Sequence, residues 1–153
     1  MPIITPNRNK TSVDGVRPRN EALVLSIPDA ERLALQSRFV KNQVEAEILS
    51  DMEARILDAT LLEPSAVPKD LVTMNSRVVL REVDSGRQHV FVLAFPSCAN
   101  SRKGRISILT PLGSILLGAR VGQTLTCAIS RTLTTVVVDT ILRQPEAASD
   151  YYG

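Results

Sequence analysis

The chain has 153 residues, 44% hydrophobic and 22% charged, a composition typical of one globular domain or of two small units sharing a core. Its net charge of +2 is uneven: residues 1–27 carry +2, residues 28–63 carry −4 and residues 64–153 carry +4. No apolar run is long enough for a transmembrane helix or a secretory signal, and two cysteines with one histidine exclude a disulfide framework and a closed zinc site. We therefore expect a cytoplasmic protein without a metal or other cofactor.

Residues 1–25 are rich in proline and asparagine and are predicted to form a flexible tail. Residues 26–63 are predicted to be helical, because Ser26 suits an N-cap and Pro28 and Asp29 suit a first turn. Two alternatives fit this segment: one long helix, or two helices that turn near Asn42, a candidate turn residue or C-cap. We prefer an antiparallel helical hairpin, a short coiled coil, because it lets two apolar stripes cover one another. The stripes are Ala30, Leu33 and Ala34, then Leu49, Met52, Ile56 and Ala59.

A proline-containing linker is predicted over residues 64–71, followed by a domain over residues 72–153 in which apolar residues alternate with period two. The predicted strands are residues 77–83 and 88–95 around an Asp-Ser-Gly turn, then 106–109, 123–129 and 134–142. Thr110 is a candidate N-cap and Pro111 a candidate first residue of a short helix that Gly118 ends. The expected fold class is α+β, with the helical hairpin preceding an antiparallel β-sheet that carries one short helix.

Three strings of the second domain carry a family resemblance: VTMNSRV at 72–78, ISILTPLGSILLG at 106–118 and QPEAASDY at 144–151. In this order and spacing they resemble the C-terminal domain of the Gre transcription elongation factors. The likeness is greatest to the short-hairpin branch formed by regulators of nucleoside diphosphate kinase. The resemblance implies an FKBP-like fold for residues 72–153 and implies RNA polymerase as the partner.

The resemblance also implies where that partner docks. Gre-family proteins place their C-terminal domain on the rim of the polymerase secondary channel, and the matching positions are Ser107, Thr110, Pro111 and Gly113. A purely structural role is the alternative for this segment, and we favour it for Leu112, Leu116 and Leu117. For the exposed corner at Thr110 and Pro111 both roles remain open.

Acidic residues follow the predicted hairpin turn. In Gre factors, acids at the hairpin tip help to hold Mg²⁺ in the polymerase active site, and Glu45, Glu47 and Asp51 are the candidates here. Each predicted arm is only about 18–27 Å long, however, whereas the resemblance implies longer arms in cleavage factors. We therefore expect a non-enzymatic factor that modulates transcription or competes with Gre factors without strong stimulation of transcript cleavage. A solvated acidic surface paired with Lys41 and Arg55 is the alternative role.

Other functions have less support in the sequence. A prolyl-isomerase cleft is hard to build from Phe91 and Phe95, and with five Phe and Tyr residues in total we expect nucleic acid to be contacted only indirectly. The main alternative is a module that self-associates through its hairpin, using Phe39, Val40 and Ile48. No membrane partner is expected.

Overall fold

A five-stranded sheet, a two-stranded sheet and three α-helices make up the part of the chain that the computed structural model describes, residues 22–129 and 131–149. Short 3-10 turns at Gln36–Phe39, Pro64–Ala66, Pro96–Cys98 and Ser101–Lys103 connect some of these elements. The regular elements in chain order are β1 (Val24–Ser26), α1 (Ile27–Leu33), α2 (Gln43–Leu57), β2 (Thr60–Leu62), β3 (Arg77–Glu82), β4 (Gln88–Ala94), β5 (Arg105–Ser107), α3 (Pro111–Leu116), β6 (Thr124–Ile129) and β7 (Thr132–Arg143).

The large sheet has the strand order β5-β4-β3-β7-β6. Side chains alternate between its faces, so that Val78 and Leu80 of β3 are buried whereas Arg77 is exposed. The predicted antiparallel pairs β3–β4 and β6–β7 are confirmed. The prediction of a wholly antiparallel sheet is wrong at one edge, where β5 pairs parallel with β4. For β5 to run parallel to β4, the chain must first return to the other end of β4, and residues 95–104 make that connection. A tight turn can join only antiparallel strands.

The predicted hairpin of two long helices does not form. The first arm contains only the seven residues of α1 and a 3-10 turn, whereas the second arm is the 15-residue α2. Strands β1 and β2, which flank the two helices, pair parallel with each other. The apolar stripes are covered in a different way from the one predicted: Leu33 of α1 and Met52 of α2 lie in the same apolar core as Val72 and Leu80 of the β-domain.

The predicted domain boundaries also change. Leu23 and Leu25, assigned to the tail, are buried in the core, and β1 begins at Val24. Val67 and Leu71, assigned to the linker, are buried too. The rest of the predicted tail, residues 1–21, lies outside the described residues.

A buried polar cluster joins α1 to the β-domain. The Oδ2 atom of Asp29 accepts a hydrogen bond from the N–H of Met74 at 3.1 Å, and the hydroxyl of Thr73 donates to Oε1 of Glu146 at 2.7 Å. Burial, followed by the nearby carboxylate of Glu146, raises the pKa of Asp29 to about 7. Beside this cluster the guanidinium of Arg32 lies 4.2 Å from the ring centroid of Phe95. These contacts hold the N-terminal helix against the β-domain.

Candidate docking corner and acidic helix

The corner between β5 and α3 is fixed by its own hydrogen bonds. The hydroxyl of Thr110 donates to the carbonyl oxygen of Ser107 at 2.7 Å and accepts from the N–H of Gly113 at 3.1 Å, which makes Thr110 the N-cap of α3. Pro111 occupies the first turn of the helix, where a missing N–H costs no hydrogen bond. Both parts of the predicted cap are confirmed. Ser107, Thr110 and Pro111 are half-buried, so each presents part of its surface to solvent.

Gly113, predicted as a docking contact, is buried and has a packing role. A Cβ atom at this position would lie 2.1 Å from the carbonyl oxygen of Ser107 and 3.1 Å from the Cα of Ile108. Glycine therefore allows α3 to lie directly against the end of β5. Gly113 would therefore affect a docking surface indirectly, by allowing the close packing that sets the shape of the corner.

The leucines of the same segment belong to the core, which agrees with the structural role predicted for them. Leu112 is 7% exposed, and Leu116 and Leu117 are fully buried. After them the chain leaves the helix through Gly118, whose φ of +82° lies in the left-handed region. From Ile108 to Leu117, Thr110 and Pro111 are the two residues that are not buried, so they form the exposed part of the start of the helix.

Arg55 connects the acidic helix to this corner. Its Nη1 atom donates to the carbonyl oxygen of Ser114 at 3.1 Å, and its Nη2 atom donates to that of Leu117 at 3.4 Å. These are carbonyls at the C-terminal end of α3, which a cation stabilises. The C-terminal half of α2 is thereby attached to the element that carries the corner.

Two of the three candidate acids, Glu45 and Glu47, lie toward the opposite end of α2, whereas Asp51 lies one turn before Arg55. Asn42 caps this helix at its N-terminus, accepting from the N–H of Glu45 at 2.9 Å, so it is an N-cap and the predicted C-cap is wrong. Glu45 in turn accepts from the N–H of Lys41 at 2.9 Å, a reciprocal arrangement close to a capping box. Glu47 is exposed and Asp51 is half-buried. From Arg55 to Glu45 the helix axis covers about 15 Å, which places Glu45 and Glu47 away from the corner.

Burial in the core limits the surface proposed for self-association and the residues proposed for a prolyl-isomerase cleft. Ile48 is 2% exposed and Val40 packs against the same core, which removes most of the surface proposed for self-association. Phe95 is 3% exposed beneath Arg32 and is therefore unavailable to line an isomerase cleft.

Within residues 22–129 and 131–149, no group of three or more His, Cys, Asp or Glu residues is arranged to hold a metal ion. None of the helices described there is long and apolar enough to cross a membrane.

The sequence did not reveal two polar arrangements that the fold creates. One is the buried cluster around Asp29 and Glu146, which are 117 positions apart in the chain. The other is a row of arginines on the outer face of the sheet, Arg77, Arg105 and Arg143, which strand register alone brings together. No local signal could have identified either arrangement, because both depend on strand order and register.

The chain is similar to known transcription factors. The family model for the C-terminal region of transcription elongation factors GreA and GreB matches residues 67–142. The regulator of nucleoside diphosphate kinase from Escherichia coli K12 is 34% identical over 105 residues, which cover 68% of this chain and 77% of that protein. Transcription elongation factor GreA of Chlorobaculum parvum is 31% identical over 96 residues, 62% of this chain and 60% of that factor. The solved GreA/GreB elongation factor of Nitrosomonas europaea superposes with a TM-score of 0.70 at 27% identity, covering 81% of this chain and 100% of that one.

Proposed function

Since the chain belongs to the GreA/GreB family of transcription elongation factors, we propose that it binds RNA polymerase and modulates transcription through that contact. The observation that carries this proposal is the match over residues 67–142, which includes the whole β5–α3 corner. The protein would act by binding and would have no catalytic activity of its own.

We place the docking contact at Thr110 and Pro111, on the rim of the secondary channel. The corner is held by the hydroxyl of Thr110, which bonds on both sides, and by the close packing of Gly113 against Ser107. A surface that is already ordered loses little conformational entropy on binding, which favours it as a contact. The half-buried Thr110 and Pro111 supply the exposed part of that surface.

The acidic end of α2 would enter the channel once the corner is docked. Arg55 fixes the orientation of this helix relative to α3, so docking at the corner also sets the direction of α2. The 15 residues of α2 span about 22 Å, and the preceding arm contains only the seven-residue α1. On this geometry Glu45 and Glu47 stop short of a catalytic centre deep in the channel. The protein would then occupy the channel without strongly stimulating transcript cleavage.

The docking contact can be tested with two variants and a matched control. Binding of the labelled protein to core RNA polymerase would be measured for wild type, Pro111→Ala, Thr110→Arg and Thr132→Arg. Thr132, an exposed residue at the start of β7, provides the same substitution away from the corner. We expect wild type and Thr132→Arg to bind alike, and the two corner variants to bind at least about tenfold more weakly, with thermal unfolding confirming that each is folded. Equal binding by all four proteins would place the contact elsewhere.

A further inference from the structure

Strand β6 forms an open edge of the large sheet. Among the described strands it pairs with β7 alone, in unbroken register from Thr124 opposite Val137 to Ile129 opposite Thr132. Its six residues include neither a charged residue nor a proline. Sheets usually protect a long edge with charges, prolines, bulges or a covering segment, because an exposed edge is a template for another strand. Strand β6 has none of the first three protections.

The opposite edge of the same sheet is protected. Strand β5 has only three residues and begins with the charged Arg105. Asn100 covers its outer side, where it exchanges two backbone hydrogen bonds with Arg105 at 2.9 and 3.0 Å. A cover also exists just before β6, since the N–H of Val121 donates to the carbonyl oxygen of Asp70 at 2.9 Å. No described segment continues this cover along β6 itself.

The pair Thr126–Thr135 shows which backbone groups of β6 point outward. The carbonyl oxygen of Thr135 accepts from the N–H of Val83 at 2.9 Å, on the side of β7 away from β6. Thr126 and Thr135 are therefore a non-hydrogen-bonded pair, and their hydroxyl oxygens lie 3.0 Å apart, as the closer side chains of such a pair allow. The N–H and C=O of Thr126 point to the open side and, by alternation, so do those of Thr124 and Ala128.

We propose that β6 pairs antiparallel with the β6 strand of a second copy of this chain, which joins two five-stranded sheets into one of ten strands. In the register centred on Thr126, this residue lies opposite its own copy, and Thr124 lies opposite Ala128 of the second copy. The two surfaces are identical, so each supplies carbonyl oxygens for the outward N–H groups of the other.

The charge pattern favours a second copy as the occupant. Strand β6 offers no charge that an acidic or a basic peptide could recognise, whereas pairing with its own copy brings no like charges directly opposite each other within the strand. Threonine pairs across strands also stabilise a sheet. The edge used is the one opposite β5, the strand that precedes the corner at Thr110 and Pro111, so this contact is separate from the proposed polymerase contact.

Sedimentation equilibrium of the full chain, under reducing conditions because Cys98 is exposed, tests this pairing. One strand pair is a small interface, so we expect wild type to dimerise with a dissociation constant on the order of 100 μM. Thr126→Lys should dimerise at least about tenfold more weakly, because two lysines would face each other. Thr140→Lys is the matched control, since Thr140 is an exposed residue of β7 opposite Val79 of β3 and away from the edge. A wild type that stays monomeric at about 1 mM, or equal association by all three proteins, would overturn the proposal.

Mixed variants test the two-fold geometry. Thr126→Lys and Thr126→Glu should each associate weakly, and an equimolar mixture should associate at least as strongly as wild type, because opposite charges then meet at the axis. Thermal unfolding would verify that both variants fold. A mixture that associates no better than the separate variants would overturn pairing centred on Thr126.

Hydrogen exchange tests the wild type without any substitution. The N–H of Thr126 should exchange more slowly at high protein concentration than at low, because the second copy covers it. The N–H of Leu125 faces β7 by the same alternation, so its exchange should not depend on concentration. Exchange at Thr126 that is independent of concentration would overturn the proposal. Because no polymerase is present in these experiments, their outcome is independent of the proposed transcriptional function.

Discussion

Gly113 of α3 lies so close to Ser107 of β5 that a Cβ on the glycine would be 2.1 Å from the serine carbonyl oxygen. That oxygen also accepts from the hydroxyl and the N–H of Thr110, so it is held in place by the N-cap of the helix. The close approach and the cap therefore stabilise the same corner.

Replacing Gly113 by alanine should disturb this corner. We expect Gly113→Ala to lower the free energy of unfolding by about 2–3 kcal/mol, because the added methyl group has no space without a backbone shift. Urea denaturation would measure the change. Gly86→Ala provides the comparison: Gly86 has a φ of +76° and nothing within 4 Å of a Cβ position, so that variant should lose only the left-handed strain of about 1 kcal/mol. Wild-type stability in Gly113→Ala would contradict the close packing.

Asp29 should make stability depend on pH. Its pKa is raised from 3.8 to about 7 in the folded protein, chiefly by burial and then by Glu146. Between these two values the folded state holds a proton that the unfolded state has lost. The contribution of this group to the free energy of unfolding therefore falls as pH rises through that window, by about 1.4 kcal/mol per pH unit.

Asp29→Asn isolates that effect, since the amide oxygen can still accept from the N–H of Met74. We expect the variant to match wild type near pH 4, to exceed it increasingly as pH rises, and to differ by a constant amount above about pH 8. Urea denaturation at several pH values would show the difference. Parallel pH profiles for the two proteins would mean that Asp29 does not titrate in this range.

Arg55 should contribute to stability through the carbonyls of α3. In Arg55→Gln the side chain is too short to donate to both Ser114 and Leu117, and we expect a loss of about 1–2 kcal/mol. Lys41→Gln is a suitable control, because Lys41 is exposed and it is its backbone N–H that bonds to Glu45. An Arg55→Gln protein as stable as the control would show that these hydrogen bonds add nothing.

Local sequence signals predicted several elements correctly because the interactions that form them are local. The N-caps at Ser26 and Thr110 each accept from an N–H three residues ahead, so a short window contains the whole interaction. The turn after β3 likewise depends on Gly86, whose φ is +76°. The α+β class and the two antiparallel strand pairs follow from such signals together with the period of the apolar residues.

The sequence could not predict features that depend on contacts between residues far apart in the chain. Periodicity showed that α1 and α2 each bury one face, but it could not show that the β-domain covers those faces. The family resemblance assigned Gly113 to the docking surface, and its packing against Ser107 could not be predicted, because the two residues meet only when β5 and α3 are packed together. Similarly, Glu146 becomes a partner of Thr73 only in the folded chain.

Transcript cleavage provides a test of the short acidic helix. We expect the purified protein not to accelerate cleavage in a backtracked elongation complex, because α2 spans only about 22 Å from end to end. A GreA factor assayed alongside would serve as the positive control. Acceleration by wild type that is lost in the double variant Glu45→Gln/Glu47→Gln would contradict the proposal and would assign the acids a role in the active site. Glutamine at position 45 can still accept from the N–H of Lys41, so the helix cap is preserved.

The measurement that tests the central claim most directly is competition for core RNA polymerase between this protein and a GreA factor. If both dock at the secondary channel, unlabelled GreA should displace the labelled protein completely and at concentrations that match its own affinity. The Thr110→Arg variant should in turn fail to displace labelled GreA, whereas Thr132→Arg should succeed. Simultaneous binding of both proteins, or the absence of binding at micromolar concentrations, would contradict docking at the channel.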